Sequence, residues 1–160
     1  IGFVGTLAGE GKYVQRKKAI GNLEDHGLID NLGRVGKNNY SEYLSSYIAM
    51  LTDTAITNTN IRSPHAKMFE MMASDTVCLS PDFDHNFIPK DCYVEYKDDC
   101  SDVVERAKWI LTHPDTCDII RNNAYKEFLD KHTDKIRIKE LYDHMDNLLK
   151  GKELEKKWMI

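Results

Sequence analysis

The sequence predicts an α/β fold of the Rossmann-like type, with a parallel sheet of about five strands between layers of helices and a helical C-terminal end. Short apolar segments alternate along the chain with longer segments whose apolar residues recur every three to four positions. This alternation is typical of parallel strands joined by right-handed helical crossovers. Polar turns follow the first strand and precede the third helix. Ligands of such sheets bind beyond the carboxyl ends of the strands, so both turns are expected at one crevice.

Length and composition favour one globular domain over residues 1–160, large enough for a core. A formal net charge of −4 argues against a protein that coats nucleic acid, and no apolar run approaches the roughly 20 residues that span a bilayer. The four cysteines lack C-x-x-C spacing, which disfavours zinc and favours a reducing, cytoplasmic setting. The chain starts at Ile1 without an initiator methionine, so we expect a piece of a longer protein.

The first apolar segment and the helix after it are typical of a nucleotide-binding βα unit. A strand within residues 1–5 leads into a turn at Gly5 and Thr6, and a helix is predicted over residues 12–26. The turn lacks the G-x-G-x-x-G pattern of dinucleotide-binding folds. Arg16 falls on the apolar stripe of this helix, and a buried guanidinium needs a carboxylate or a ligand phosphate. The alternative, a side chain that reaches solvent at the rim, stays open.

Three further elements are predicted before residue 59. Residues 27–33 indicate a turn and a short second strand. Asn39 is predicted to cap the next helix, with Glu42 as its capping-box partner, and helical spacing of apolar and tyrosine residues continues through residues 40–51. The β-rich segment 53–58 is predicted as the third strand, which leads the chain into the next turn.

The segment 59–74 predicts a loop followed by a helix whose start suits an anion. Ser63 can cap the helix through its hydroxyl, and Pro64 suits the first helical position because it has no N–H to leave unsatisfied. The free amides of His65 and Ala66 would then form the positive pole of the helix, which suits a phosphate.

Side chains on one face of this predicted helix extend the candidate site. Lys67, Glu70 and Ser74 share that face, whereas Phe69, Met72 and Ala73 are expected to point inward. A cation, a carboxylate and a helix N-terminus within one turn suit a nucleotide diphosphate, with Lys67 on phosphate and Glu70 on ribose hydroxyls. An ordinary capped helix with a surface Lys–Glu pair explains the same spacing, so both interpretations stay open.

The rest of the chain predicts two more strands and three amphipathic helices. The strands are expected at residues 76–80 and 91–96, the helices at residues 102–112, 115–131 and 135–150, and a charged tail with an apolar tip at residues 151–160. The loop between the last two strands holds Asp82, Asp84 and His85. Loops of this composition are usually solvated turns, so no metal site is expected there.

Residues 65–74, with the sequence HAKMFEMMAS, are followed by an apolar strand and Ser-Pro at residues 80–81. This run resembles the nucleotide-sugar-binding signature of GT-B glycosyltransferases, and it is most similar to the spore-maturation-like or group 1 branch of their C-terminal domains. Other similar positions are FVGT at 3–6, Y-x-x-R at 13–16, Y-x-x-Y-L at 40–44, YKDD at 96–99, His-Pro at 113–114, Asn-Ala-Tyr at 123–125 and His-Thr at 132–133.

The resemblance implies one half of a GT-B fold that binds a nucleoside diphosphate sugar, UDP- or GDP-linked, without a metal or a cofactor. The predicted donor-binding residues are Gly5, Thr6, Arg16, Ser63, His65, Ala66, Lys67 and Glu70. Among them, Glu70 would bind the donor ribose, the helix amides would face the pyrophosphate, and Arg16 or Lys67 would supply positive charge. The acceptor and any catalytic base would come from an N-terminal domain that this chain lacks. We therefore expect donor binding and little or no transfer by the chain alone, and the catalytic residue is unknown.

Two positions depart from the family pattern. Retaining members often carry a glutamate eight residues before the ribose glutamate, where this chain has Arg62. The resemblance therefore does not imply that this chain retains the configuration of the transferred sugar. The family usually has glycine where this chain has Asp75, a residue that tolerates a left-handed turn moderately well.

Two other classes of protein fit parts of the sequence. The same fold could serve as a non-catalytic nucleotide or nucleotide-sugar binding or scaffolding module. A flavodoxin- or receiver-like domain is disfavoured because a receiver needs acidic residues after its first and third strands. Here the predicted strands end at Gly5 and Thr6 and at Thr57 and Asn58.

Overall fold

Five short strands form one parallel sheet in the order β2-β1-β3-β4-β5. The strands are β1 (Gly2–Phe3), β2 (Asp30–Asn31), β3 (Ala49–Leu51), β4 (Val77–Pro81) and β5 (Val94–Tyr96). The computed structural model describes residues 1–5, 7, 13–53, 66–83 and 87–151, without the side chain of Lys37. The predicted α/β class and the parallel sheet of five strands are confirmed.

The described part of the chain has six helices. They are α1 (Val14–Glu24), α2 (Tyr40–Ser45), α3 (Ala66–Ala73), α4 (Val103–Thr112), α5 (Pro114–Lys131) and α6 (Asp134–Leu149). Short 3₁₀ turns precede α2 and β5. The predicted helices at residues 12–26, 102–112, 115–131 and 135–150 agree with α1, α4, α5 and α6 to within two residues at each end.

Two apolar cores, one on each face of the sheet, make the fold a three-layer one. In β3, Ala49 and Leu51 belong to the core beneath α1 and α4, whereas Met50 belongs to the core beneath α2, α3 and α5. In β4, Leu79 belongs to the first of these cores and Cys78 to the second. This alternation follows from the period of two along a strand, and it buries both faces of the sheet as a parallel sheet requires.

The third strand lies earlier in the chain than predicted. The predicted helix over residues 40–51 ends at Ser45, and β3 occupies Ala49–Leu51. The prediction was wrong because a short apolar run fits a buried strand and a helix equally well by periodicity. Residues 54–58, which held most of the predicted strand, lie outside the described residues. Consequently Thr52 and Asp53 directly follow the carboxyl end of β3.

The predicted capping box of α2 is not formed. Asn39 occupies the N-cap position, but its side chain makes no capping hydrogen bond, because the preceding residues already turn as a 3₁₀ helix.

The inward face of α3 differs in part from the prediction. Its fully buried residues are Met68, Met71 and Met72, of which only Met72 was expected to point inward. Phe69 is half-buried and Ala73 is exposed. The methionines fill the core because they recur at helical spacing on the face that packs against the sheet.

The turn after α3 has the left-handed backbone that the family pattern implied. Asp75 has a φ of 54°, in the region where glycine is least strained. Arg121 of α5 lies 3.5 Å from the Asp75 carboxylate, and it donates a hydrogen bond of 3.5 Å to the Asp75 carbonyl oxygen. Contacts from α5 therefore hold this strained turn in place.

The apolar stripe of α6 is exposed in the described structure. Its large apolar side chains, which are between 48% and 86% exposed, are Ile138, Leu141, Tyr142, Met145, Leu148 and Leu149. No residue of α6 is buried, although the helix packs at one end against α5. The predicted tail at residues 152–160 lies outside the described residues. No helix in the described residues is both long and apolar enough to cross a membrane.

All four cysteines are buried and unpaired. Cys78 lies in β4, as the apolar sequence around it predicted, and the others are Cys92, Cys100 and Cys117.

Substitution of Gly2 tests how tightly β1 packs beside β3. A Cβ atom at Gly2 would lie 2.4 Å from the Met50 sulfur and 2.8 Å from the Tyr47 ring, so we expect Gly2→Ala to lower the free energy of unfolding by about 1–3 kcal/mol. Gly21 in α1 has nothing within 4 Å of such an atom. Gly21→Ala should therefore raise that free energy by up to about 1 kcal/mol. Urea denaturation of both variants checks this contrast, and equal effects would contradict the packing.

Candidate functional site

The candidate site lies where β1 and β3 end and where α1 and α3 begin. In a parallel sheet these carboxyl ends meet at one edge, which is where ligands bind in folds of this class. Val4 and Gly5 follow β1, and Thr52 and Asp53 follow β3. The side chains of Arg16 from α1 and of the lysine in the first turn of α3 reach the same edge.

Arg16 and Asp53 form a buried ion pair at this edge. The Arg16 Nη2 and Nε atoms lie 2.6 Å and 3.0 Å from Asp53 Oδ1, and the two residues are 9% and 2% exposed. The guanidinium stacks 4.2 Å above the centre of the Tyr13 ring. Of the two interpretations that the sequence left open, the structure therefore supports a buried cation with a carboxylate partner. Loss of one partner of such a pair leaves the other charge poorly compensated.

Lys67 is a second cation beside Arg16. Its ammonium group donates a hydrogen bond to the Val4 carbonyl oxygen and lies 5.0 Å from the centre of the Phe3 ring. The Arg16 guanidinium lies 5.7 Å from the same ring centre. Burial, and then the charge of Arg16, lower the pKa of Lys67 to about 8, against the smaller opposing effects of Asp53 and Glu70. Lys67 is thus half-buried near a like charge, and is not a surface side chain.

The lack of a side chain at Gly5 makes room for the Lys67 ammonium group. A Cβ atom at Gly5 would lie 2.8 Å from the Lys67 Nζ atom and 2.8 Å from the Phe3 ring. The Gly5 amide donates a 2.7 Å hydrogen bond to the Gly33 carbonyl oxygen, which fixes the chain as it leaves β1. The backbone after β1 can therefore approach Lys67 only because this residue has no side chain.

Glu70 lies one turn further along α3, on the same face as Lys67. Its carboxylate is exposed and accepts a 2.7 Å hydrogen bond from the Tyr40 hydroxyl, which comes from the first residue of α2. Burial, and then Glu70 itself, raise the pKa of Tyr40 well above its usual range. The hydroxyl therefore stays protonated and remains a donor at neutral pH.

The structure brings together four of the predicted site residues, namely Gly5, Arg16, Lys67 and Glu70. Ala66 is the first residue of α3 and is exposed. Thr6, Ser63 and His65 lie outside the described residues, as does Arg62. The predicted anion site at the amides that start α3 therefore stays a prediction.

Sequence reasoning missed two residues of this edge. Asp53 was assigned to the third strand, and Tyr40 was counted only among the helically spaced residues of the helix before that strand. The signal for Asp53 was the apolar run at residues 49–51, since taking it as a strand puts an acidic residue at its carboxyl end.

The same correction removes one ground for rejecting a receiver-like domain. The first strand, however, is followed by Val4 and Gly5, and Asp53 is paired with Arg16.

Within the described residues, no group of three or more His, Cys, Asp and Glu side chains is arranged to hold a metal ion. The loop with Asp82, Asp84 and His85, where no metal site was expected, lies partly outside them, at residues 84–86.

Comparison with known families matches residues 2–143 to a family described as glycosyl transferase-like. Two solved structures share the fold. A mutant of TarM from Staphylococcus aureus, in complex with fondaparinux, alpha-GlcNAc-glycerol and UDP, has a TM-score of 0.60 at 12% identity over 88% of this chain. The pneumococcal O-GlcNAc transferase GtfA, in complex with UDP and GlcNAc, has a TM-score of 0.57 at 14% identity over 92% of this chain.

These identities establish likeness of fold alone. This chain spans 34% of the TarM chain and 36% of the GtfA chain, about a third of each. No curated protein matches the sequence significantly. The prediction of a GT-B glycosyltransferase C-terminal domain is confirmed at the level of family and fold, and the spore-maturation branch stays a prediction.

The lowered pKa of Lys67 predicts how stability depends on pH. Between about pH 8 and 10.5 the unfolded chain keeps the Lys67 proton while the folded chain loses it, so the free energy of unfolding gains a contribution that rises with pH. Above that range both states are neutral at this side chain, and below it both are protonated. Urea denaturation at several pH values should show a smaller rise for Lys67→Met than for the unsubstituted protein. Equal slopes would show that burial does not disfavour the charge of Lys67.

Proposed function

The chain belongs to the glycosyl transferase-like family, and we propose that it is the donor-binding half of a GT-B glycosyltransferase. In this proposal it binds a nucleoside diphosphate sugar at the carboxyl edge of its sheet, for transfer of the sugar to an acceptor.

The observation that carries the proposal is the pair of cations, Arg16 and Lys67, beside one ring at that edge. Both lie within 6 Å of the centre of the Phe3 ring, and Arg16 helps to lower the pKa of Lys67. Asp53 already offsets the charge of Arg16, so the three side chains together keep one positive charge, and an anion beside Lys67 and Arg16 would offset it. A diphosphate carries the charge and size to reach both cations.

Glu70 supplies the second half of the proposed site. Its exposed carboxylate lies on the same helix face as Lys67, one turn further from the start of α3, where a ribose attached to the diphosphate could reach it. The binding of UDP in both structural neighbours supports uracil as the base to test first. At 12% and 14% identity this is support by analogy.

The proposed chemistry follows from the charge that develops during transfer. Cleavage of the bond between the sugar and the diphosphate leaves negative charge on the leaving group, which Lys67, Arg16 and the amides that start α3 would stabilise without a metal. The acceptor and the catalytic base would come from an N-terminal domain, as the partial coverage of the solved chains supports. This chain alone would then bind donor and transfer little or none of it.

We place the protein in a reducing, cytoplasmic setting. All four cysteines are buried and unpaired, and burial raises the pKa of each thiol, for Cys92 to about 12. Free thiols are typical of proteins in reducing compartments.

Titration of the protein with UDP and GDP by calorimetry tests the proposal. We expect saturable binding of one nucleotide, weakened at least tenfold, or about 1.4 kcal/mol, in Glu70→Ala because the ribose hydroxyls lose their acceptor. Glu105→Ala, which removes an exposed glutamate in the first turn of α4, should bind as the unsubstituted protein does. Absence of binding at millimolar nucleotide would overturn the proposed donor site.

The titration of Lys67 gives an independent check. Because Lys67 loses its proton near pH 8, affinity for UDP should fall as the pH rises above that value, by at most about tenfold per pH unit. The Lys67→Arg variant keeps its charge in this range, so its affinity should stay flat between about pH 7 and 9.5. A parallel decline in both proteins would remove Lys67 from the proposed phosphate contact.

A further inference from the structure

Within the described residues, Tyr40 is the hydrogen-bond partner of the proposed ribose-binding carboxylate. The phenol reaches from the start of α2 to α3 and donates to Glu70 Oε2 at 2.7 Å. Its ring is half-buried and packs against the core beneath α2, α3 and α5, whereas Glu70 is exposed. A well-anchored donor is therefore bonded to a carboxylate that solvent surrounds.

The consequence of this contact is a restricted orientation for Glu70. An exposed glutamate side chain has several rotatable bonds and loses rotamer entropy when it is fixed on a ligand. A tyrosine has two side-chain torsions, and packing of its ring limits both. The hydrogen bond to Tyr40 thus fixes the carboxylate before any ligand arrives, which lowers the cost of binding.

The same contact determines which acceptor sites remain. A carboxylate has two oxygens and about four lone-pair positions, and Tyr40 uses one of them on Oε2. Oε1 and the remaining position on Oε2 can still accept hydrogen bonds. Two acceptor sites side by side match two neighbouring hydroxyl groups, as on carbons 2 and 3 of a ribose.

We propose that Tyr40 is a positioning residue that holds Glu70 for a vicinal diol and thereby makes the site select ribonucleotides over deoxyribonucleotides. This inference rests on the proposed donor site. A tyrosine that only ties α2 to α3 would stabilise the fold without distinguishing one nucleotide from the other.

Binding of UDP and of 2′-deoxy-UDP, measured by calorimetry for each protein, separates these roles. In the unsubstituted protein we expect UDP to bind at least tenfold more tightly than 2′-deoxy-UDP. In Tyr40→Phe, which removes one hydroxyl, we expect affinity for UDP to fall about fivefold and affinity for 2′-deoxy-UDP to fall less than about twofold. The matched control is Tyr43→Phe, on the same helix, which should leave both affinities unchanged.

A double-variant comparison checks that Tyr40 acts through Glu70. When Glu70 is replaced by alanine, the further change Tyr40→Phe should not weaken UDP binding any more, because the group it positions is gone. Additive losses in the double variant would overturn the inference.

The remaining outcomes separate the inference from the proposal beneath it. If UDP binds and Glu70→Ala weakens it, but Tyr40→Phe lowers both nucleotide affinities equally along with the melting temperature, Tyr40 is structural only and the inference fails while the donor site stands. An unchanged preference for UDP in Tyr40→Phe would likewise overturn the inference and leave the donor site standing. If UDP does not bind the unsubstituted protein, both fail.

Discussion

The ion pair of Arg16 with Asp53 is the interaction on which the carboxyl edge of the sheet depends. It joins the first turn of α1 to the residues that follow β3, and both side chains are buried. A charge buried in this way must be held by its partner, so the chain after β3 and the start of α1 are fixed relative to each other. Lys67 then packs against Phe3 and the backbone at Gly5, beside a cation that cannot move away. The candidate site thus depends on an ion pair that also holds the fold together.

The class of the fold could be predicted from the sequence because it follows from local patterns. Short apolar runs alternate with segments whose apolar residues recur every three to four positions. In folds of this class such a segment forms a helix that packs its apolar face against the sheet. The helix α3 could also be located, since its amphipathic run is strong and Lys67 and Glu70 fall on one face by spacing alone. The left-handed turn at Asp75 followed from the family pattern, in which glycine stands at that position.

The partners of these side chains could not be predicted, because they come from distant parts of the chain. Asp53 is 37 residues from Arg16, and Tyr40 is 30 residues from Glu70. Periodicity places a residue on a face of its own element, but which residue of another element lies opposite depends on strand order and register. The displaced third strand had the same origin: three apolar residues between two polar turns satisfy helix and strand alike, and only pairing with β1 and β4 decides.

The placement of the four cysteines makes their thiols reporters of motion. Cys78 is the second residue of β4, Cys117 lies near the start of α5, and Cys92 and Cys100 lie on either side of β5. Because each is buried and its pKa is raised by that burial, an alkylating reagent must wait until the surrounding structure opens. The rate of alkylation at each cysteine therefore measures the opening of the structure around it, and no cysteine has to be introduced by mutation.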